Sequence, residues 1–300
     1  MLFVAQRGII LSPNNMVVNY LDNLKKMFPL LYKIYARIQL HKTWQASDYF
    51  IVSFPKSGRT WTMTFLGKYI SLYFKTPYYD HFRVKPLWYK GPRLVFSHTG
   101  FAHDQFKKGK NLRHALGTNS MARQFERLNK KNIIYIARDP RDVAVSYYFH
   151  CKHGGEKDVI CMNLEQFVRD KYFGIEVIIM FMNLWMNKRH VFGSFNLIHY
   201  EELRKNPREQ FKRLLELINI PVKEALLDEA IKFSDFKNMK EREMQKKINA
   251  GKDYSDVENP DSYRVRSGKS GGYVEHFNED TLKYVNSEMR LLDRQYKYGP

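Results

Sequence analysis

Three short segments of this chain carry residues suited to gripping an anion. The first reads Phe54-Pro55-Lys56-Ser57-Gly58-Arg59-Thr60-Trp61. Lys56 offers an ammonium, Ser57 and Thr60 offer hydroxyls, and Gly58 lets the backbone turn tightly. A helical pattern follows, so the N–H groups of its first turn point into the loop, an arrangement that suits a phosphate or sulfate. The order is not that of a Walker A loop, in which Lys follows the last Gly and precedes the hydroxyl that holds Mg²⁺. Here Lys56 precedes Gly58, which disfavours a metal-dependent nucleotide kinase or other phosphoryl transferase. The plain alternative is a glycine turn beside a surface lysine.

The second segment runs Ala137-Arg138-Asp139-Pro140-Arg141-Asp142-Val143-Ala144-Val145-Ser146. Arg138 lies just past an apolar run, at the end of a strand where open α/β sheets bind ligands. Ser146 lies two turns into the next helix and can return toward the same place. A forked guanidinium with a hydroxyl can take a second phosphate; a helix-start ion pair of Arg138 with Asp139 or Asp142 is the structural alternative. Pro140 suits the first turn of a helix in either case. The third segment, Arg266-Ser267-Gly268-Lys269-Ser270-Gly271-Gly272-Tyr273, is rich in glycine and cations and is weak taken alone.

The elements that must position these segments form an alternating pattern. Strand-like runs at Tyr49–Phe54, Leu94–Ser97, Ile133–Ala137 and Phe195–Tyr200 are separated by helical stretches, which predicts an α/β fold with a central, mostly parallel sheet flanked by helices. The first helix is expected over Thr60–Tyr73 and another through Val143–Phe149. One helix after the fourth run is expected to carry Leu203, Phe211, Leu214, Leu215 and Ile218. A final helix is expected over Asp280–Tyr296. A single domain is expected over 1–300, with a helical lead-in over 1–45 and a charged, mobile loop at 237–262.

Composition narrows the class. The 300 residues carry 50 Lys+Arg against 31 Asp+Glu, a formal net charge of +19. Such an excess attracts anions, whether nucleic acid, acidic lipid or a phosphorylated ligand. A basic nucleic-acid-binding protein is the competing reading, but finger, RNP and regular aromatic-platform signatures are missing. The two cysteines, Cys151 and Cys161, read as free thiols rather than as metal ligands or a disulfide framework. The N-terminal apolar run is interrupted by Gln6, Arg7 and Gly8, and a cytoplasmic protein without stable membrane insertion is expected.

Together, the three segments in their order and spacing resemble the sulfotransferases that use 3′-phosphoadenosine 5′-phosphosulfate (PAPS), in particular the cytosolic, small-molecule type. The resemblance covers nearly the whole chain and implies the P-loop-like sulfotransferase fold. It implies that Lys56, Ser57, Gly58, Arg59, Thr60 and Trp61 take the 5′ end of the donor, with Trp61 also stacking on adenine. Arg138 and Ser146 are implied to bind the 3′-phosphate, with Arg266, Ser267 and Gly268 assisting. Tyr200 matches a family tyrosine that contacts the base, and Phe236 a phenylalanine that sandwiches it; core packing is the alternative for both. His98, which follows the second strand, matches the family's catalytic histidine. Lys56 is implied to neutralise the leaving phosphate, and Ser146 to restrain Lys56 until the acceptor binds. PAPS as donor, PAP (adenosine 3′,5′-bisphosphate) as product, no metal, and a small-molecule acceptor with a hydroxyl or amine follow from the same resemblance.

The chain departs from the family pattern at several places. Arg59 stands where a threonine is common, and either adds a cation at the phosphosulfate or points to solvent. Phe96 stands in place of a lysine, Ser267 of a lysine and Tyr273 of a tryptophan. The stretch Val274–Glu279 lacks the Lys and Thr-Val of the family's dimer motif, so a monomer or weak homodimer is expected.

Overall fold

The computed structural model describes residues 45–76, 78, 91–97, 125–154, 157–245, 259–263 and 265–299. Two compact units divide the chain, Met1–Ser47 and Asp48–Pro300. The expected N-terminal lead-in lies almost wholly outside the described residues.

In the second unit, β1 (Tyr49–Ser53) passes through a five-residue loop into α1 (Arg59–Tyr73). Then come β2 (Leu94–Ser97), β3 (Asn132–Ala137), α2 (Pro140–His153), α3 (Leu164–Arg169) and α4 (Ile175–Asn187). β4 (Ser194–His199) leads into α5 (Tyr200–Lys205), α6 (Pro207–Leu217), α7 (Glu224–Phe233), α8 (Phe236–Met244) and α9 (Glu279–Met289). The strands form one sheet in the order β2-β1-β3-β4, with every pairing parallel. This is the α/β architecture with flanking helices that the sequence predicts.

Both central strands are apolar because both faces of the sheet are covered. Ile51, Ile134, Ile136 and Ile198 meet Phe65 and Leu66 of α1, Phe211, Leu214 and Leu215 of α6, and Leu227 of α7. Phe65 and Phe211 stack with ring centroids 3.8 Å apart, tying α1 to α6. Each such buried side chain contributes about 1.5–3 kcal/mol. The chain passes from β1 outward to β2 and then across to β3 on the other side of β1. That reversal opens a crevice at the carboxyl ends of β1 and β3, the switch point where α/β sheets bind ligands.

Several expectations need correction. The helix expected after β4 is two helices. Pro207 forces Asn206 out of helical geometry (φ −131°, ψ 63°), and α6 restarts at the proline. Tyr200 is not the end of a strand but the first residue of α5. The expected loop from Lys237 begins as α8, because the Asp235 carboxylate accepts the Asn238 N–H at 2.7 Å and caps the helix; residues 246–258 lie outside the described set. The final helix stops at Met289, and a 3₁₀ turn at Arg294–Tyr296 follows it. Helix α4 was not legible as an element, since IEVIIMFMNLWMN is apolar nearly all round; it is a core helix, with Trp185 and Phe181 fully buried.

Candidate active site

The crevice is built from the loop after β1 upward. Lys56 has φ +69° and Gly58 φ +96°, so the backbone curls left-handed twice before α1 begins. Gly58 is the N-cap of α1 and offers no side-chain cap, and the first turn carries no acidic residue. The helix N-terminus therefore presents its N–H groups and partial positive charge without an internal counter-group. A Cβ on Gly58 would lie 2.5 Å from the ring of Tyr200, so the ring lies directly on the glycine backbone. Replacing Gly58 with alanine is expected to cost about 2–3 kcal/mol from the left-handed backbone and the clash. Urea denaturation would read that loss, and nucleotide affinity is expected to fall with it.

Arg138 closes the other side of the crevice. It is 8% exposed, and its two terminal nitrogens donate to the Lys56 and Lys269 carbonyls, each at 3.0 Å. Its guanidinium lies 4.5 Å from the centroid of the Tyr200 ring. The helix-start ion pair falls to its neighbour instead, for Asp139 caps α2 and pairs with Arg141 at 2.8 Å. Arg138 thus joins the first segment to the third.

The third segment folds over this arginine. Both oxygens of buried Asp142 accept main-chain N–H groups, Gly271 at 2.7 Å and Tyr273 at 3.0 Å, which fastens the glycine-rich turn to α2. Burial raises the Asp142 pKa, while the Arg138 charge and the Gly271 N–H pull it the other way. Gly268 has φ +62°, and a Cβ there would meet the ring of Phe236 at 2.5 Å. Arg266 lies 4.2 Å from the Phe149 ring centroid and 3.5 Å from Asp261. Phe149 is three residues beyond Ser146 on α2, so the arginine and the serine lie along one helix face. Burial lowers the Arg266 pKa; Asp261 opposes that, and the like charge of Arg138 adds to it. Two guanidinium groups that repel each other in a partly dry crevice are suited to a multiply charged anion.

Arg138 Nε, Arg266 Nε and Trp61 Nε1 are buried and have no hydrogen-bond partner among the described residues. Leaving such donors unmet costs about 1–3 kcal/mol each, and ligand oxygens would meet them. Trp61 packs edge-on against Tyr200 and Phe211, at 6.0 and 5.2 Å between centroids. The Arg204 guanidinium spans the space between Trp61 and Phe236, 5.7 Å and 5.9 Å from the two ring centroids.

The structure therefore brings together Lys56, Ser57, Gly58, Trp61, Arg138, Tyr200, Phe236, Arg266 and Gly268. Ser57 is buried, Arg59 and Thr60 open α1, and Ser146 is half-buried on α2. Ser267 is exposed beside Gly268. His98 lies outside the described residues; β2 ends at Ser97, opposite Val52 of β1. Sequence reasoning missed Asp142 as the anchor of the third segment and Arg204 as the cation between the rings. Asp142 was legible only as a candidate partner for Arg138.

A crevice at the sheet's switch point, lined by a phosphate-type loop, paired arginines and an aromatic slot, makes an α/β protein suited to a phosphorylated ligand. The sulfotransferase domain model matches residues 46–294, and the chain belongs to that family, whose members are PAPS-dependent enzymes that transfer sulfate. Membership selects the sulfotransferase reading over the nucleotide kinase. The chain is 27% identical to mouse Sulfotransferase 2B1 over 201 residues, a match that covers 66% of this chain and 57% of that protein. It is 25% identical to rat Sulfotransferase 2A6, covering 77% and 78%. It is 26% identical to Cytosolic sulfotransferase 13 of Arabidopsis thaliana, covering 83% and 76%. The fold is similar to that of mouse sulfotransferase SULT7A1 complexed with PAP, with a TM-score of 0.51, 16% identity, and coverage of 82% of this chain and 85% of that one. Among the described residues, no helix is long and apolar enough to cross a membrane.

Proposed function

We propose that the protein moves a sulfuryl group from PAPS to a hydroxyl or amine of a small-molecule acceptor, releasing PAP. The observation that carries this reading is the convergence of Arg138 and Arg266, with their Nε donors unmet, on the loop that holds Lys56. The residues fit an adenosine with charge at both ends. The α1 N-terminus with Lys56, Ser57 and Thr60 suits the 5′-phosphosulfate. Arg138, Ser146, Arg266 and the Gly268 backbone suit the 3′-phosphate. Trp61, Tyr200 and Phe236 provide aromatic faces for the base.

When bound, PAPS supplies an activated sulfuryl group on a phosphate leaving group. His98, as a neutral imidazole, removes the acceptor proton as the acceptor oxygen or nitrogen attacks sulfur. Lys56 neutralises the charge that develops on the bridging oxygen, and Ser146 restrains the Lys56 ammonium before the acceptor arrives. This chemistry asks for no metal, because a sulfuryl group carries less charge than a phosphoryl group. The stretches 74–92 and 237–262 are proposed to line the acceptor pocket, and the described residues include only 74–76, 78, 91–92, 237–245 and 259–262 of them. The acceptor is therefore to be found by experiment. Incubation with labelled PAPS and a panel of phenols, alcohols, sterols and amines, followed by mass spectrometry, is expected to give a product heavier by one sulfuryl group. Absence of label transfer to every acceptor class would contradict the proposal.

A further inference from the structure

The last described residues of the chain, beyond the family match that stops at residue 294, reach the crevice from behind. Tyr296 is fully buried and donates its O–H to the Met182 carbonyl of α4 at 2.7 Å, which fixes the tail. Two residues on, the Tyr298 phenol donates to Glu201 Oε2 at 2.6 Å. The other oxygen of Glu201 accepts the Asp139 N–H at 2.9 Å. That N–H belongs to the peptide bond immediately after Arg138. The same tail also holds Arg141, which donates to the Gly299 carbonyl at 2.9 Å, to Asn286 of α9 at 2.8 Å and to Asp139 at 2.8 Å. Glu201 follows Tyr200, whose ring carries the Arg138 guanidinium.

We infer that Tyr298 and Glu201 are positioning residues for the anion grip: the C-terminal tail sets the peptide that aims Arg138. The phenol carries one hydrogen, which goes to the carboxylate, so the N–H of His199 Nδ1, 3.1 Å away, donates to the phenol oxygen. Burial, and then the Glu201 charge, hold the Tyr298 pKa well above its ordinary value, so the phenol remains a donor. Without the Tyr298 bond, Glu201 keeps the Asp139 N–H but is no longer held by the tail, whose remaining bond to the segment that carries Arg138 is the one from Arg141 to the Gly299 carbonyl.

This inference rests on the proposed donor site, and the experiment separates the two. PAP and AMP, which lacks the 3′-phosphate, are titrated calorimetrically into the wild-type protein and the Tyr298→Phe, Glu201→Ala and Glu201→Gln variants. Glu201→Ala is expected to weaken PAP binding about 10-fold, and Tyr298→Phe about 3- to 10-fold, a fraction of the cost of a lost hydrogen bond to a charged group, because both residues act on PAP only through Arg138. AMP affinity is expected to stay unchanged. Glu201→Gln keeps an oxygen for the Asp139 N–H, but its NH₂ cannot accept the phenol hydrogen, so it is expected to recover only part of the PAP affinity lost in Glu201→Ala. Should Glu201→Ala fail to fold, Tyr298→Phe carries the test, since it removes a single oxygen. Unchanged PAP affinity in Tyr298→Phe, or equal losses for PAP and AMP, would overturn the inference. A wild-type protein that binds no PAP would instead overturn the donor site itself.

Discussion

Replacing His98 with alanine is expected to lower turnover about 10²–10⁴-fold, the usual yield of general-base assistance, while leaving PAP affinity nearly intact. The two readouts separate because His98 and the nucleotide contacts come from different places. The proposed nucleotide contacts come from the loop after β1, from Arg138 and α2, and from the glycine-rich turn. His98 follows Ser97 in sequence, and Ser97 is the last residue of β2, the strand paired with β1. The proposed role of His98 is toward the acceptor rather than the 3′-phosphate. Single-turnover kinetics with labelled PAPS would measure the first quantity and calorimetry with PAP the second. A variant with full turnover would remove His98 from the mechanism. One that lost PAP binding in parallel would make it a nucleotide or folding residue.

Arg138→Ala is expected to have the largest effect on donor affinity. The guanidinium is almost fully buried, two of its nitrogens hold the Lys56 and Lys269 carbonyls, and its third is unmet. Truncating one partner of a buried, hydrogen-bonded charge pair costs about 2–5 kcal/mol, or roughly 30-fold to several thousand-fold in affinity. The loss should fall on PAP and spare AMP in relative terms, because the arginine is assigned to the 3′ end. Arg138→Lys keeps the charge but cannot span two carbonyls with a planar fork, and is expected to recover only part of the affinity. Thermal unfolding of the free variants separates this effect from the cost of releasing the two carbonyls.

The sequence made the strands and the three anion-binding segments readable for a physical reason. Buried parallel strands such as Asn132–Ala137 are continuous apolar runs, and loops that touch phosphate need glycine and cations in short range. The resemblance implied that Lys56, Arg138 and Arg266 converge; in the fold Arg138 holds the Lys56 carbonyl and its charge acts on Arg266. What escaped was set by tertiary contacts. Asp142 reads as one more charge in a basic segment, and only the fold gives its two oxygens the Gly271 and Tyr273 amides. Glu201 and Tyr298 are 97 residues apart, and no local pattern pairs them. The break at Asn206 was legible in Pro207, but the apolar spacing on both sides continued through it. The start of α8 was hidden because FKNMKEREM is mostly polar, whereas its Asp235 cap was visible.

The most direct test of the whole account is calorimetric titration of PAP, and separately of AMP, into the wild-type protein in the presence of a chelator. One PAP per chain, bound at least about 100-fold more tightly than AMP, is the predicted result, because two arginines are proposed to address the 3′-phosphate. Equal affinity for the two nucleotides, or PAP binding that appears only when Mg²⁺ is restored, would contradict it.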